Sequence, residues 1–448
     1  MKFVFRILYF FYRIFTGLRY RATRRLTRAG LAVMVAAVVS GLAGIDTDNT
    51  VAYQAFSLLS VLLLVAMSFV FFFRNSFSAT RLLPRFGTAG RPLRYRVIVH
   101  NAGSRRQVGL TLLENLVDSR PNFSEWLAVQ QAYERRFRSF RFGEHRRRNP
   151  FRNAIVKEAA VPPLPPQDRG GADVELTPLR RGVLRFSGLT LGRPDPLGLM
   201  RSFARVVLPQ ALLVLPKRYP LPPIALPGVT KYQEGGVAYA SNVGQSEEFV
   251  SLRDYRRGDP LRHIHWRSWA KTGRPIVKEF EDEFFVRHAL VLDTFIDDPR
   301  SDLFEEAVSV AASFACTVGT QESLLDLLFI GAEAYCFTYG RGLAHTDQML
   351  EVLAGVRTSG EKSFHRLEQL VVEHAAIVSG CICVFLDWDS RRQELVRKLK
   401  ELGVPVMVMV IVEEGSASQP TPGPLHEEPE NFHLLKMGRI EQDLAALK

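Results

Sequence analysis

Two apolar runs open the chain. Ala29–Ile45 holds 17 residues without a charge, and Val51–Phe73 holds 23. At about 1.5 Å per helical residue the second run crosses a hydrocarbon core of about 30 Å, and the first stands near the lower limit. A basic, aromatic-rich leader precedes the first run and a second full run follows at once. That order argues for a membrane hairpin rather than a cleaved signal peptide. From Leu93 the pattern shifts to alternation, as in Arg94–His100, with Asn101–Ser104 reading as a turn and Val108–Leu116 as a return strand. Gly182–Phe186 and Ala211–Leu215 continue it, and short strands with such punctuation predict a small β-sandwich. Val161–Pro166 reads as a stiff, extended linker, and Pro216–Pro227 as the next boundary.

Beyond that boundary strand and helix patterns alternate. His288–Asp293, Leu324–Ile330, Cys381–Leu386 and Val404–Val412 read as buried strands. Leu303–Cys316, Phe364–Val378 and Arg391–Leu402 read as helices. Such alternation predicts a mostly parallel sheet with helices on both faces. Glu413–Pro429 is polar and Pro-rich, with the composition of a mobile segment. The expected organisation is α+β and multidomain: a leader at 1–28, a transmembrane hairpin at 29–73, a β-rich domain at 80–215 interrupted by an insertion at 119–160, a motif-dense segment at 216–284, an α/β domain at 285–412 and a polar tail at 413–448.

Charge adds an orientation. The 448 residues carry a net +12, yet Ser301–Lys448 holds 12 Lys/Arg against 22 Asp/Glu, so the excess of base lies in the first 300 residues. Eight Lys or Arg and no acid precede Ala29, the turn between the runs holds only Asp46 and Asp48, and Arg74, Arg81, Arg85, Arg91, Arg94 and Arg96 follow the second run. Lys and Arg stay on the cytoplasmic side, so two spans of the cell inner (plasma) membrane with both termini cytoplasmic are expected. Four cysteines, Cys316, Cys336, Cys381 and Cys383, are too few for a disulfide framework. Within the insertion, eight arginines from Arg135 to Arg152 interleave with Phe137, Phe140, Phe142 and Phe151. Arginine with aromatic residues can grip nucleic acid. No complete nucleic-acid motif surrounds these, and a solvated or lipid-facing basic patch is the expectation.

The densest run of chemistry is Glu247–Phe280. It contains Glu247-Glu248-Phe249, Ser251-Leu252-Arg253-Asp254-Tyr255, Gly258-Asp259, Arg262-His263-Ile264-His265-Trp266, Ser268, Ala270 and Val277-Lys278-Glu279-Phe280. This run resembles the signature of the bacterial "domain of unknown function 58" family, with extra bulk at Trp269 and Pro275-Ile276 where the family commonly has a Leu. Arg180-Arg181-Gly182-Val183 and Asp195-Pro196-Leu197-Gly198-Leu199 also resemble it.

The resemblance implies a von Willebrand factor A-like C-terminal domain. In metal-binding members of that fold the first strand ends D-x-S-x-S. Here the run is Asp293-Thr294-Phe295-Ile296-Asp297, with Asp387 at the later acidic position. Asp293, Asp297 and Asp387 are therefore the candidate ligands of a divalent cation, with both serine positions lost. His263 and His265, with Asp259 four residues before His263, form a weaker metal candidate. Arg253, Tyr255, Gly258, Asp259, His263, His265, Trp266 and Lys278 are the motif residues expected to pair charges or dock a partner.

No G-x-x-x-x-G-K-[ST], H-E-x-x-H or G-x-S-x-G is present. The expected function is that of a non-enzymatic, membrane-anchored interaction or adaptor protein. The resemblance implies a MoxR-type AAA+ ATPase as its partner, in a chaperone-like or envelope-related role. The alternative is a divalent-metal-dependent hydrolase built on the acidic crevice.

Overall fold

The computed structural model describes residues 2–44, 50–71, 76–117, 120–136, 151–222, 249–256, 259, 261–280, 287–318, 324–331, 333–339, 343–359, 364–413 and 420–447. They fall into two units. One comprises Met1–Arg218, Ile296–Ala312 and Leu350–Gly360; the other comprises Tyr219–Phe295, Ser313–Met349 and Glu361–Lys448.

The first unit begins with three helices, α1 (Lys2–Arg25), α2 (Arg28–Ala43) and α3 (Thr50–Phe71). Within α3, Val51–Val70 is long and apolar enough to cross a membrane, whereas α2 is apolar but shorter. The two pack on each other. Gly41 permits close approach, since a Cβ there would stand 3.1 Å from the Phe56 ring. Away from that contact Leu42, Val51, Leu58 and Leu64 are exposed.

The strands β1 (Phe77–Leu82), β2 (Phe86–Thr88), β3 (Leu93–Asn101) and β4 (Thr111–Leu116) come next, then α4 (Phe123–Arg136). After them come β5 (Ala154–Val156), β6 (Ala159–Ala160), β7 (Arg169–Pro178), β8 (Gly182–Pro194) and β9 (Arg201–Leu215). They form a four-stranded sheet, β1-β3-β7-β5, and a five-stranded sheet, β2-β9-β8-β4-β6. Alternation along β3 turns Tyr95, Val97 and Val99 inward, where they share one core with Leu112, Phe186, Leu191 and Leu212 of the other sheet. Val161 and Leu164 also enter that core, with Val161 N donating to Leu110 O and Gln107 pairing with Leu164. The Pro-rich stretch expected as a linker is therefore stitched into the sandwich, because its two aliphatic side chains find an apolar interior. Of the Arg-rich insertion, residues 137–150 lie outside the described residues; before them α4 forms.

Buried charge is tolerated inside this sandwich only because it is fully paired. The Arg81 guanidinium forks onto Glu114 at 3.0 and 2.6 Å, Tyr95 donates to the same carboxylate, and Arg81 lies 4.4 Å over the Phe186 ring. Burial first, and the Glu114 charge next, push the Tyr95 hydroxyl well above its ordinary value.

The passage from α1 to α2 takes two residues. Thr27 caps α2 by accepting from Gly30 N at 3.0 Å, satisfying one of the otherwise unpaired N–H groups of the first turn. The Thr27 N–H donates to Leu199 O, its hydroxyl donates to Gly198 O at 2.6 Å, and Leu26 pairs with Met200. The receiving loop is the Asp195-Pro196-Leu197-Gly198-Leu199 run. Gly198 N donates to Asp195 O, Asp195 Oδ1 accepts from Met200 N, and Gly198 supplies the φ of +68° that the turn needs. Gly30 lies against this loop so closely that a Cβ would stand 2.0 Å from Leu199 O.

The second unit carries β10 (Phe249–Asp254), α5 (Trp266–Thr272) and β11 (Ile276–Phe280), then β12 (Arg287–Leu292). Helix α6 (Asp302–Val318) comes next in the chain. The elements β13 (Leu324–Ile330), β14 (Ala334–Tyr339), α7 (Leu343–Gly355), α8 (Phe364–His374), β15 (Gly380–Phe385), α9 (Ser390–Glu401), β16 (Val406–Val412), β17 (Phe432–Lys436) and α10 (Ile440–Ala445) follow. The main sheet runs β14-β13-β12-β15-β16-β17, parallel throughout except for the edge pair β13/β14. Val291, Cys383 and Val408 face Leu367 and Val371 of α8 and Leu395 and Leu399 of α9 in one core. Residues past Val412, expected as a polar tail, instead supply the sixth strand and a closing helix. The apolar Phe432, Leu434 and Leu435 within that stretch explain why it joins the sheet.

Gly30→Ala is expected to lower the thermal unfolding temperature of the full chain in detergent, at a cost of about 1–3 kcal/mol, because the added methyl meets backbone and not a yielding side chain. Gly41→Ala meets only a ring edge and should cost less. Equal melting temperatures for Gly30→Ala and the parent chain would contradict the joint described here.

Candidate functional site

The motif-dense segment folds as a small self-contained hairpin. Strands β10 and β11 pair antiparallel, with Arg253 opposite Val277 and Asp254 opposite Ile276. Between them lie a 3-10 turn at Leu261–His263, an Ile264–Val277 bridge and the short helix α5, which ends at Gly273 with a φ of 71°. Asp259 is its latch. Its carboxylate accepts both Arg253 Nη atoms, at 2.7 and 2.8 Å, and the Arg256 N–H at 2.7 Å. The Arg253 fork first, and the Arg256 N–H second, hold the Asp259 carboxyl down from 3.8 to about 2. A depressed carboxyl contributes stability that is complete above its ordinary value and is lost as pH falls through the depressed one. The latch therefore holds throughout the physiological range.

The other motif residues take separate places. Tyr255 is half-buried, its N–H donating to Pro275 O, and Lys278 is half-buried on β11 opposite Leu252. His265 Nδ1 meets Ser268 Oγ at 2.6 Å, which directs its ring to α5. His263 is half-buried. Gly258 lies outside the described residues. Trp266 stacks on Trp269 with centroids 5.2 Å apart, yet 64% of its surface stays exposed, and Leu261 in the preceding turn is 68% exposed. Arg253 and Asp259 thus pair within the segment, Ile264 and Val277 are buried, and Leu252, Leu261 and Trp266 face outward.

The second candidate lies at the C-terminal ends of β12 and β15, where parallel α/β sheets open their crevices. Asp293 follows β12 and is 0% exposed. Its Oδ1 accepts from Phe295 N at 2.9 Å; its Oδ2 accepts from Leu386 N at 3.1 Å and from Arg392 Nε at 2.7 Å. Arg392 also reaches Asp389 at 3.0 Å and lies 5.2 Å from the Phe364 ring centre. Burial works against its charge, but the Asp293 and Asp389 carboxylates outweigh it and raise the Arg392 pKa. Asp387 and Asp297 are exposed, and Asp387 Oδ1 accepts from Trp388 N. Phe295, at a position where the metal-binding pattern has a hydroxyl, is buried in the core.

The divalent cation that the resemblance implies does not fit these residues. Both Asp293 oxygens are already engaged, and a guanidinium stands where a cation would neutralise the carboxylate. Among the described residues no group of three or more His, Cys, Asp or Glu is disposed to hold a metal, at this crevice or around His263 and His265. The arrangement commits Asp293 to donors of the protein itself, and it fixes the ends of two strands and the start of α9 to one another.

Arg180-Arg181 acts in the same structural way within the first unit. Arg181 donates to Leu353 O and Val356 O at 3.0 and 2.7 Å and pairs with Glu305 at 2.8 Å. Arg180 pairs with Asp302 at 2.7 Å. Glu305 and Asp302, acids otherwise suited to meeting a basic partner, are therefore committed inside the chain.

Three residues of consequence escaped the sequence reading: Arg392, Thr27 and Gly30. Arg392 had a signal, because it heads the series 392, 395, 396 and 399 that is buried along α9. An arginine on the apolar stripe of a helix calls for a buried acid. Arg392→Ala is expected to cost about 3–5 kcal/mol in urea unfolding, since it leaves the Asp293 carboxylate buried and unpaired. A midpoint unchanged from the parent would show that the crevice is open to solvent or to an ion.

Comparison with known proteins bears on the same region. An uncharacterised protein of Bacillus subtilis (strain 168), YeaD, is 32% identical over 184 residues, which span 40% of this chain and 44% of the relative. The chain thus matches less than half the length of that curated relative. Among solved structures, a cohesin module from a Clostridium perfringens ATCC13124 family 33 glycoside hydrolase shares 13% identity, covering 32% of this chain and 98% of that one with a TM-score of 0.15. A GH20 exo-β-N-acetylglucosaminidase from Vibrio harveyi shares 8% identity, covering 78% of this chain and 59% of that one, again with a TM-score of 0.15. At that score neither likeness carries an argument. No catalytic family emerges, and over residues 251–443 the chain matches the family described as "Protein of unknown function DUF58".

Proposed function

We propose that the chain is a membrane-anchored interaction protein, an adaptor for a MoxR-type AAA+ ATPase in a chaperone-like or envelope-related assembly. The observation that carries this reading is the closure of the Asp293 crevice by Arg392, which leaves the acid buried, charge-paired and hydrogen-bonded through both oxygens. Asp387 alone does not make a hydrolytic centre.

Two further features support it. Helices α2 and α3 expose apolar side chains along their outer surfaces, as lipid-facing helices do. With the arginine asymmetry, this favours two spans of the inner membrane with both termini cytoplasmic. The order of the six-stranded sheet supports a von Willebrand factor A-like second unit. The chain has no phosphate-binding loop of its own, so nucleotide-driven work falls to the partner.

The excess of acid in residues 301–448 favours encounter with a basic ATPase surface. Because Asp302 and Glu305 are paired internally, the acids available for docking include the exposed Glu427, Glu430 and Glu441. Full-length protein in detergent should retain the cognate MoxR-type ATPase at low salt, and should lose it on adding salt or on reversing those three charges to Lys. Absence of retention both with and without nucleotide would refute the adaptor reading.

A further inference from the structure

Helix α1 has two apolar faces, and among the described residues only one of them is covered by protein. Phe5, Tyr9 and Tyr12 recur at helical spacing and pack on Trp126, Val129 and Phe151. Tyr9 and Trp126 ring centres lie 5.7 Å apart, and the Tyr9 hydroxyl donates to Pro121 O at 2.8 Å. At the far end Arg24 donates to Asn115 Oδ1 at 2.6 Å and to Glu114 O at 2.8 Å. These contacts fix the rotation of the helix about its axis.

With that rotation set, Ile7, Leu8, Phe10, Phe11, Ile14 and Phe15 are all exposed, Phe15 to 66%. At 100° per residue they cluster opposite Phe5, Tyr9 and Tyr12. Arg6 and Arg13 lie on one flank, between the covered and the exposed faces, and the helix contains no acid. Only Leu26 and Thr27 separate the end of α1 from the apolar helix α2.

We propose that the exposed face of α1 lies in the plane of an anionic lipid surface, with its phenylalanines at the boundary of headgroups and acyl chains and its arginines among the phosphates. This inference rests on the membrane anchor proposed above and adds to it an element that lies on the bilayer without crossing it. Three observations select lipid as the occupant. The face is aromatic and aliphatic without a polar interruption among the six named residues. Its flank is purely basic, which suits anionic lipids. The helix is also joined through two residues to α2, whose Leu31, Val35, Val38, Val39 and Leu42 are apolar and exposed. Such a helix fixes the height of the sandwich above the bilayer, because its other face is bonded to α4 and β4.

The test uses the full chain with Cys316 and Cys336 replaced by Ser, carrying single nitroxide-labelled cysteines at Phe11, Phe15, Arg13 or Leu58. Each variant is reconstituted into vesicles of phosphatidylcholine and phosphatidylglycerol. Collision rates with oxygen, which concentrates in lipid, and with a water-soluble nickel chelate are then compared. The expected result is a several-fold higher oxygen-to-nickel ratio at 11 and 15 than at 13, falling when phosphatidylglycerol is omitted, with 58 the most lipid-like of all. Labels at 11 and 15 that favour the nickel chelate while 58 favours oxygen would overturn the inference and leave the anchor standing. Shielding of 11 and 15 from both reagents would mean that protein, such as a second copy, covers the face, and would also overturn it. A water-like label at 58 would remove the anchor and the inference together.

Discussion

The constraint on which the first unit depends is the two-residue joint at Leu26–Thr27. An apolar helix whose one charge is Arg28 must leave a β-sandwich whose loops are polar, and the backbone groups at the changeover must all be bonded. Thr27 meets this with one side chain and one N–H: it caps α2, donates to Gly198 O and donates to Leu199 O. The loop that receives it is rigid for its own reasons, with Asp195 bonding Met200 N and Gly198 in the left-handed region. Gly30 allows the helix to touch that loop backbone to backbone. The direction of α2, and of α1 before it, is thereby set by the sandwich.

Elsewhere the chain uses paired charge to fix structure and leaves apolar surface for contact. Arg81 with Glu114, Arg181 with Glu305 and Arg392 with Asp293 are buried or nearly so, and each arginine also lies over an aromatic ring. Removing either member of such a pair strands the other in a medium of low dielectric. The latch at Arg253–Asp259 is a more exposed version, and it shapes the segment that shows Trp266 outward. Asp293, at the end of a parallel strand, is enclosed in the same way as Glu114 inside the sandwich.

Much of this was legible in the sequence. The alternation in Arg94–His100 and the buried runs at Cys381–Leu386 and Val404–Val412 locate strands that the structure contains, because burial on one or both faces leaves a direct imprint on side-chain order. Helix α6 covers the expected Leu303–Cys316 for the same reason. The acidic ends of strands were legible too, but their state was not. Whether Asp293 holds a metal or an arginine depends on a residue 99 positions later, and no local pattern reports that pairing. Val161–Pro166 and the last 28 described residues misled for a related reason. Proline and charge mask a few aliphatic side chains, Leu164 and Leu435 among them, whose burial is decided by distant partners. The joint left its trace in the Asp195–Leu199 run, but nothing local tied that run to Gly30 or to Thr27, 171 positions before Gly198.

The most direct measurement is a disulfide across the joint. Leu26 and Met200 are antiparallel partners, which places their Cα atoms within the range a disulfide bridges. The full chain with Leu26→Cys and Met200→Cys, in a background where Cys316 and Cys336 are Ser, is oxidised while still in its native membranes and run without reductant. The account predicts near-complete intramolecular closure, seen as a faster-migrating band that reverts on reduction. Cysteines that remain free to alkylation under the same oxidation would contradict a sandwich bonded to the elbow between α1 and α2.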